Sequence, residues 1–226
     1  MKTIGLLGGM SWESSALYYQ LINEGVRDQL GGLHSAKIIL ASVDFAEIEH
    51  LQSTNDWDAA GQLLAEQSRR LEAAGADFIV LCTNTMHKVA PSIQSAVAIP
   101  LLHIADTTAA AVTDSGMTTV GLLGTSFTME QGFYKDRIST HGLTVLVPDA
   151  AQRQIIHRII YEELVLGIVS DASRTQYVSV IAALHHRGAE GIILGCTEIE
   201  LLISEHDSPI PTFPTTRLHA RAAMGL

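Results

Sequence analysis

Cysteine is scarce in this chain: Cys82 and Cys196 are the two among 226 residues, and no CxxC pair exists. That excludes a disulfide-stapled scaffold and a local redox dithiol, and points to a reducing compartment, the cytoplasm. Long apolar runs are also missing. None approaches the roughly 20 residues needed to cross a bilayer. The opening "MKTIGLLGGMSWESS" carries Lys2 and then an apolar run of only about five residues, shorter than the core of a signal peptide. It reads as a first strand. Charged residues make up 17% of the chain and sum to −10, with the basic ones scattered. Neither nucleic acid nor a membrane is therefore an expected partner. No histidine grouping has metal-ligand spacing, so no metal is expected. "GLLGGMS" matches neither the dinucleotide fingerprint nor the P-loop, which argues against a nucleotide. Its plain reading is a tight turn at Gly8 and Gly9 into a helix capped by Ser11, with Met10 near any ligand.

What is present is apolar content of 47% in a rhythm of short β-branched runs and longer helical stretches. "KTIGLL", "AKIILA" and "DFIVL" alternate with helices over about Ser11 to Leu30 and Asp56 to Ala74. "TTVGLLG", "LTVLVP" and "GIILG" follow, with two helical segments between Ala150 and Arg187. Such alternation predicts an α/β fold of parallel strands covered by helices on both faces.

The rhythm occurs twice. "TIGLLGGM" aligns with "TVGLLGTS" at an offset of 116, and "GADFIVLCTNT" aligns with "GAEGIILGCTE" at an offset of 114 when cysteine is placed on cysteine. An internal duplication follows, predicting two lobes related by a pseudo-twofold axis: 1–100 and 101–213, with a C-terminal helix over about 214–226 packing back on the first.

In open parallel sheets ligands sit beyond the carboxyl ends of the strands, and both cysteines lie there. Each is followed by residues that favour a helix start, where amide groups and the helix dipole promote thiolate and bind anions. The symmetry predicts two thiols facing one another across a cleft. Two matched acid/base groups suit removal of a proton from one face of a carbon and its return to the other. The growing negative charge needs donors, and Thr83, Asn84, Thr85 and Thr197 are suitably placed. Thr125, Ser126 and Thr128 read first as helix caps, with a second reading as carboxylate donors. The bland reading of each cysteine is core packing. His87 and His103 read as structural contacts, Asp106 as a helix cap, and Glu198 as a charge opposing thiolate formation at Cys196.

"IGLLGGMSWESS", "VDF", "LCTNTMHK", "LLHIAD", "GLLGT" and "GCTEI" together resemble the aspartate/glutamate racemase family, which works without pyridoxal phosphate and uses two cysteines. The resemblance implies a two-lobed fold, a homodimer and no cofactor. It implies Cys82 and Cys196 as the acid/base pair, Asn84 and Thr85 as binders of the α-carboxylate, and Met10, Gln52, Thr83 and Thr197 as cleft positions. Aspartate-specific relatives hold the side-chain carboxylate with an arginine after the second strand and a lysine in the second lobe. Here those stretches read "VDFAEIEHL" and "IYEELVLGIV", without either. The expectation is an amino-acid racemase of broad or non-acidic preference. The alternatives are an aspartate/glutamate racemase proper, a hydantoin racemase, maleate isomerase or malonate decarboxylase on the same scaffold, and a noncatalytic amino-acid-binding protein.

Overall fold

The fold is taken from a computed structural model that describes residues 1–225. Among the described residues eight strands run in chain order: β1 Thr3–Gly8, β2 Lys37–Ser42, β3 Phe78–Leu81, β4 Leu101–Leu102, β5 Thr119–Gly124, β6 Thr144–Leu146, β7 Gly191–Gly195 and β8 Thr212–Pro214. They form two parallel four-stranded sheets, ordered β2-β1-β3-β4 and β6-β5-β7-β8. Helices flank each sheet, so the α/β architecture is as the alternation predicts, and the second sheet repeats the connectivity of the first.

The chain divides into two compact units, Met1–Ile104 with the stretch from His219, and Ala105–Leu218. The first unit runs past residue 100 because Leu101–Leu102 pairs with Ile79 and Val80 as a fourth strand. Two residues are too short to register as a strand by pattern. The C-terminal helix spans Thr215–Met224. Within the first unit its Ala220 and Ala223 pack with Tyr18, Ile22 and Phe78.

The duplication extends to individual hydrogen bonds. The helix Trp57–Ala73 ends at Gly75, whose φ is +96°, and Asp171–His186 ends at Gly188, whose φ is +99°. In both, a Schellman turn closes the helix: Ala76 N–H donates to the Leu71 carbonyl, and Ala189 N–H to the Leu184 carbonyl. Glycine suits this left-handed backbone, which L side chains enter at a cost. The next residue then clasps the start of the first strand in each sheet. Thr3 N–H donates to the Asp77 carboxylate at 2.6 Å, and Thr119 N–H to the Glu190 carboxylate at 2.9 Å.

Strand alternation divides the first sheet's core into two faces. Leu7, Ile79 and Leu81 meet Leu64 and Leu71 on one side; Leu6, Phe78, Val80 and Cys82 lie on the other with Tyr18 and Ile22. In the second unit Leu123, Ile192 and Leu194 pack with Ile156, Tyr177 and Leu184. Each of these fully buried aliphatic or aromatic side chains contributes about 1.5–3 kcal/mol relative to exposure. The strand ends that carry the cysteines are therefore set on rigid scaffolds.

Candidate active site

Cys82 follows Leu81 directly and has no exposed surface. Its N–H donates to the Leu7 carbonyl at 2.9 Å, and its carbonyl accepts a 3.2 Å hydrogen bond from the Ser14 hydroxyl. The thiol lies 3.6 Å from the Val80 carbonyl. Burial pushes its pKa far above the ordinary thiol range. Asn84 and Thr85 are buried beside it, and Thr83 is half-buried. Met10 packs in the cluster with Leu7, Ile48 and Met86, and the buried Gln52 places Nε2 2.9 Å from Met86 Sδ. Gly9 makes the turn beneath Met10. Its φ is +93°, and a Cβ there would collide with the Val43 carbonyl oxygen.

Two buried histidines hold this end of the first unit, and their partners define their tautomers. His87 Nδ1 lies 2.7 Å from the Thr83 carbonyl and must donate, so Nε2 accepts from Ile104 N–H at 3.2 Å. His219 Nε2 donates to the Leu102 carbonyl at 2.9 Å, leaving Nδ1 to accept from the Tyr18 hydroxyl at 2.8 Å. Burial lowers the His219 pKa to about 4, and the ring stays neutral. The His103 ring lies 4.5 Å from that of His87. His219 escaped the sequence reading because it sits in the last helix, without any motif to mark it. The same holds for Ser14, one of two serines on an otherwise ordinary first turn.

In the second unit Cys196 is half-buried, with its sulfur 2.9 Å from Glu198 Oε2. Burial is the main cause of a strongly raised thiol pKa, and the charge of Glu198 adds to it. Thr197 Oγ1 lies 2.9 Å from Thr216 Oγ1, while the Thr215 hydroxyl donates to the Leu194 carbonyl at 2.9 Å. Thr125 is buried and caps the helix Ser126–Glu130 through a 3.3 Å bond from Thr128 N–H. Glu200 pairs with Arg217 at 2.7 Å. Cys196 packs against the apolar cluster of Leu123, Leu194 and Ile199, as Tyr161 and Val165 do.

Three expectations change here. The elements after the cysteines are a five-residue 3-10 helix, Thr85–Val89, and a four-residue helix, Ile199–Leu202. Neither has a side-chain cap. Elements this short have little dipole to offer against desolvation, so both thiols are driven toward the protonated form rather than toward thiolate. Asp106 is inside the helix Ile104–Asp114, where it pairs bidentately with Arg137 at 2.7 and 2.6 Å and meets His141 at 3.1 Å.

The third change concerns the alignment of cysteine on cysteine. Ladder partners give the equivalence directly: Gly5 pairs with Ile79, and Gly121 with Ile192. Leu7 pairs with Leu81 and Leu123 with Leu194. Cys82 follows Leu81, but Gly195, the partner of Gly124, intervenes before Cys196. The second cysteine stands one residue farther along its ladder. Because side chains alternate between faces, the one-residue step puts the two thiols on opposite faces of equivalent strands. Cys82 packs away from the helix Trp57–Ala73, whereas Cys196 packs in the cluster that includes Leu184 of Asp171–His186.

Among the described residues, no group of three or more His, Cys, Asp or Glu side chains is arranged to hold a metal ion, and no helix is long and apolar enough to cross a membrane.

The arrangement at hand is a thiol just past the carboxyl end of the third strand in each of two repeated sheets. Residues 7–223 match the family described as Asp/Glu/hydantoin racemase, and the chain belongs to that family of isomerases. It is 56% identical to a candidate Asp/Glu racemase of known structure from Yersinia pestis, with a TM-score of 0.95 over 100% of this chain and 98% of that one. An aspartate racemase homologue from Pyrococcus horikoshii OT3 is 32% identical, with a TM-score of 0.87 over 100% and 98% of the two chains. The broad specificity amino-acid racemase RacX of Bacillus subtilis (strain 168) is 23% identical over 75% of this chain and 73% of its own length.

Proposed function

We propose that the chain is a racemase of free amino acids that needs no organic cofactor, with Cys82 and Cys196 exchanging protons at opposite faces of the α-carbon and with a broad or non-acidic side-chain preference. The observation that carries this reading is the placement of a thiol at the carboxyl end of the same strand, third in chain order, in both repeated sheets. One thiolate removes the α-proton, and the opposite thiol delivers its own proton to the other face. Both thiols rest protonated, so one must lose its proton when substrate binds, and the substrate's ammonium group favours that by its charge. Asn84, Thr85 and Thr197, with neighbouring amides, are the donors for the α-carboxylate, on which negative charge grows in the transition state.

The side-chain preference rests on charge. The helix Phe45–Ser53 carries Glu47, Glu49 and His50 but no arginine or lysine. In the second unit the Glu163 carboxylate is held by Ser170, Ser173 and Arg158, the last at 3.2 Å, which leaves that arginine committed to a carboxylate. Cys196, Tyr161 and Val165 are partly buried side chains packed against the same apolar cluster. A second carboxylate bound there without a cationic partner would lose several kcal/mol. The likeness to an aspartate racemase homologue favours the second reading, an aspartate enzyme. Proton NMR in D₂O with a panel of L- and D-amino acids separates the two. Loss of the α-proton signal from apolar and polar neutral amino acids is the expected result; exchange confined to aspartate or glutamate would overturn the preference, and no exchange at all would overturn the racemase reading.

A further inference from the structure

The two thiols differ in one respect that the duplication does not explain. Cys196 has a carboxylate 2.9 Å from its sulfur, whereas Cys82 has the Val80 carbonyl at 3.6 Å as its one hydrogen-bonding contact for sulfur among the described residues. We propose that Glu198 acts through Cys196 as its proton partner, so that one half of the racemisation runs on a thiol–carboxylate pair and the other on a lone thiol. This rests on the racemase reading above and deepens it.

In the pair the Cys196 thiol donates its proton in a hydrogen bond to Glu198 Oε2. Moving the proton from sulfur to Oε2 breaks S–H and makes O–H, and it creates a thiolate without changing the net charge of a half-buried site. Ejecting that proton to bulk water would instead leave two adjacent negative charges. The Glu198 backbone N–H directed at the sulfur favours thiolate in the same sense. The thiolate then takes the α-proton: Cα–H breaks, S–H re-forms, and the electron pair stays on the carbon and its carboxylate. Cys82 delivers its thiol proton to the opposite face, forming the new C–H bond and leaving a Cys82 thiolate. Passing one proton from Glu198 to Cys82 through solvent restores the starting state, and no proton is gained or lost.

Other titratable groups around the pair do not replace Glu198. Tyr177, from the helix Asp171–His186, has a pKa raised by burial and by the charges of Cys196, Glu163 and Glu198, so it stays protonated. Glu163 is engaged by Ser170, Ser173 and Arg158, and Glu200 by Arg217.

The test follows α-proton loss in D₂O from each enantiomer separately, in wild type, Glu198→Gln and Glu198→Asp. Alongside it, the rate at which iodoacetamide alkylates Cys196 at pH 8 is measured in Cys82→Ser and in that variant carrying Glu198→Gln. The proton-partner role predicts that Glu198→Gln slows loss from one enantiomer by roughly 100-fold, the scale of general acid–base assistance. Loss from the other stays within a few-fold, which reports a folded protein, and Glu198→Asp recovers part of the rate. Alkylation moves the opposite way and speeds up, because removing the carboxylate charge makes the thiolate easier to form. If Glu198 merely repelled the thiolate, Glu198→Gln would accelerate both alkylation and proton loss, and that result would overturn the pairing. Equal slowing of both enantiomers would overturn it as well. Wild-type protein that exchanges no amino acid would remove the racemase reading itself, and the pairing with it.

Discussion

The ends of β3 and β7 hold equivalent places in the two repeated sheets, and burial pushes both thiols toward the protonated form, yet the thiols differ in exposure, in ladder position and in their nearest polar partner. At β3 the cysteine follows the ladder without a break, has no exposed surface, and sits on a backbone tied by Ser14 and His87. At β7 an additional glycine carries the cysteine one residue past the equivalent position, where it is half-buried and meets a carboxylate. Duplication therefore preserved the sheet order, the helix-ending glycines and the strand clasps, which are backbone devices with few alternatives. It did not preserve the shells around the two sulfurs. Scaffold and thiol surroundings are separable here: the proposed reaction needs two proton carriers, but nothing requires them to be activated alike.

Removing either carrier is the harshest test of that comparison. Cys82→Ser and Cys196→Ser are each expected to lower racemisation by about 10²–10⁴-fold, the range for loss of a general acid or base, measured by polarimetry alongside NMR. Retained racemisation in either variant would deny that thiol its role.

The buried histidine on the first unit's side should appear in stability. His219 has its pKa lowered from 6.5 to about 4, so between those values the unfolded chain binds a proton that the folded chain refuses. Its stabilising contribution is present above pH 6.5 and is lost as pH falls toward 4, by about 3 kcal/mol in all. Thermal melts from pH 7.5 to 4.5 should fall more steeply for wild type than for His219→Gln; parallel slopes would rule out this group.

Gly195 should be intolerant of a side chain. A Cβ would lie 2.8 Å from the Leu123 carbonyl oxygen, so Gly195→Ala is expected to cost about 1–3 kcal/mol, read from urea denaturation. An unchanged midpoint would mean that the strand end yields easily, and the glycine step would lose its structural reason. The smallest effect belongs to the paired clasps. Asp77→Asn and Glu190→Gln should each lower the melting temperature slightly and by similar amounts, since both are solvent-facing acceptors of strand amides. A marked difference between the two would show that the duplication is energetically unequal at its scaffold as well.

Much of this was legible in advance. Six strands, the long helices and the repeat stood out because buried parallel strands are continuous apolar runs and their crossover helices are long. β4 and β8, of two and three residues, lack the length for a pattern. The two cysteines could be located at strand ends, but the step of one residue between them could not, since only ladder partners reveal register. Short helices misled the electrostatics: a Thr-Asn-Thr run signals a helix start without giving its length, and a single turn offers little dipole. Glu198 was visible as a neighbour in sequence, yet a residue two positions away can point anywhere. His219, Thr215 and Thr216 had no local signal because their partners lie in other strands and helices.

What the sequence by itself determined is the alternation, the duplication and the identity of the two thiols, all encoded in local periodicity and residue type. The tertiary structure alone decided how each thiol is held, which face it takes and whether a carboxylate touches it. Register, burial and close contacts arise from residues far apart in the chain, and proton affinity depends on those surroundings more than on the cysteine itself.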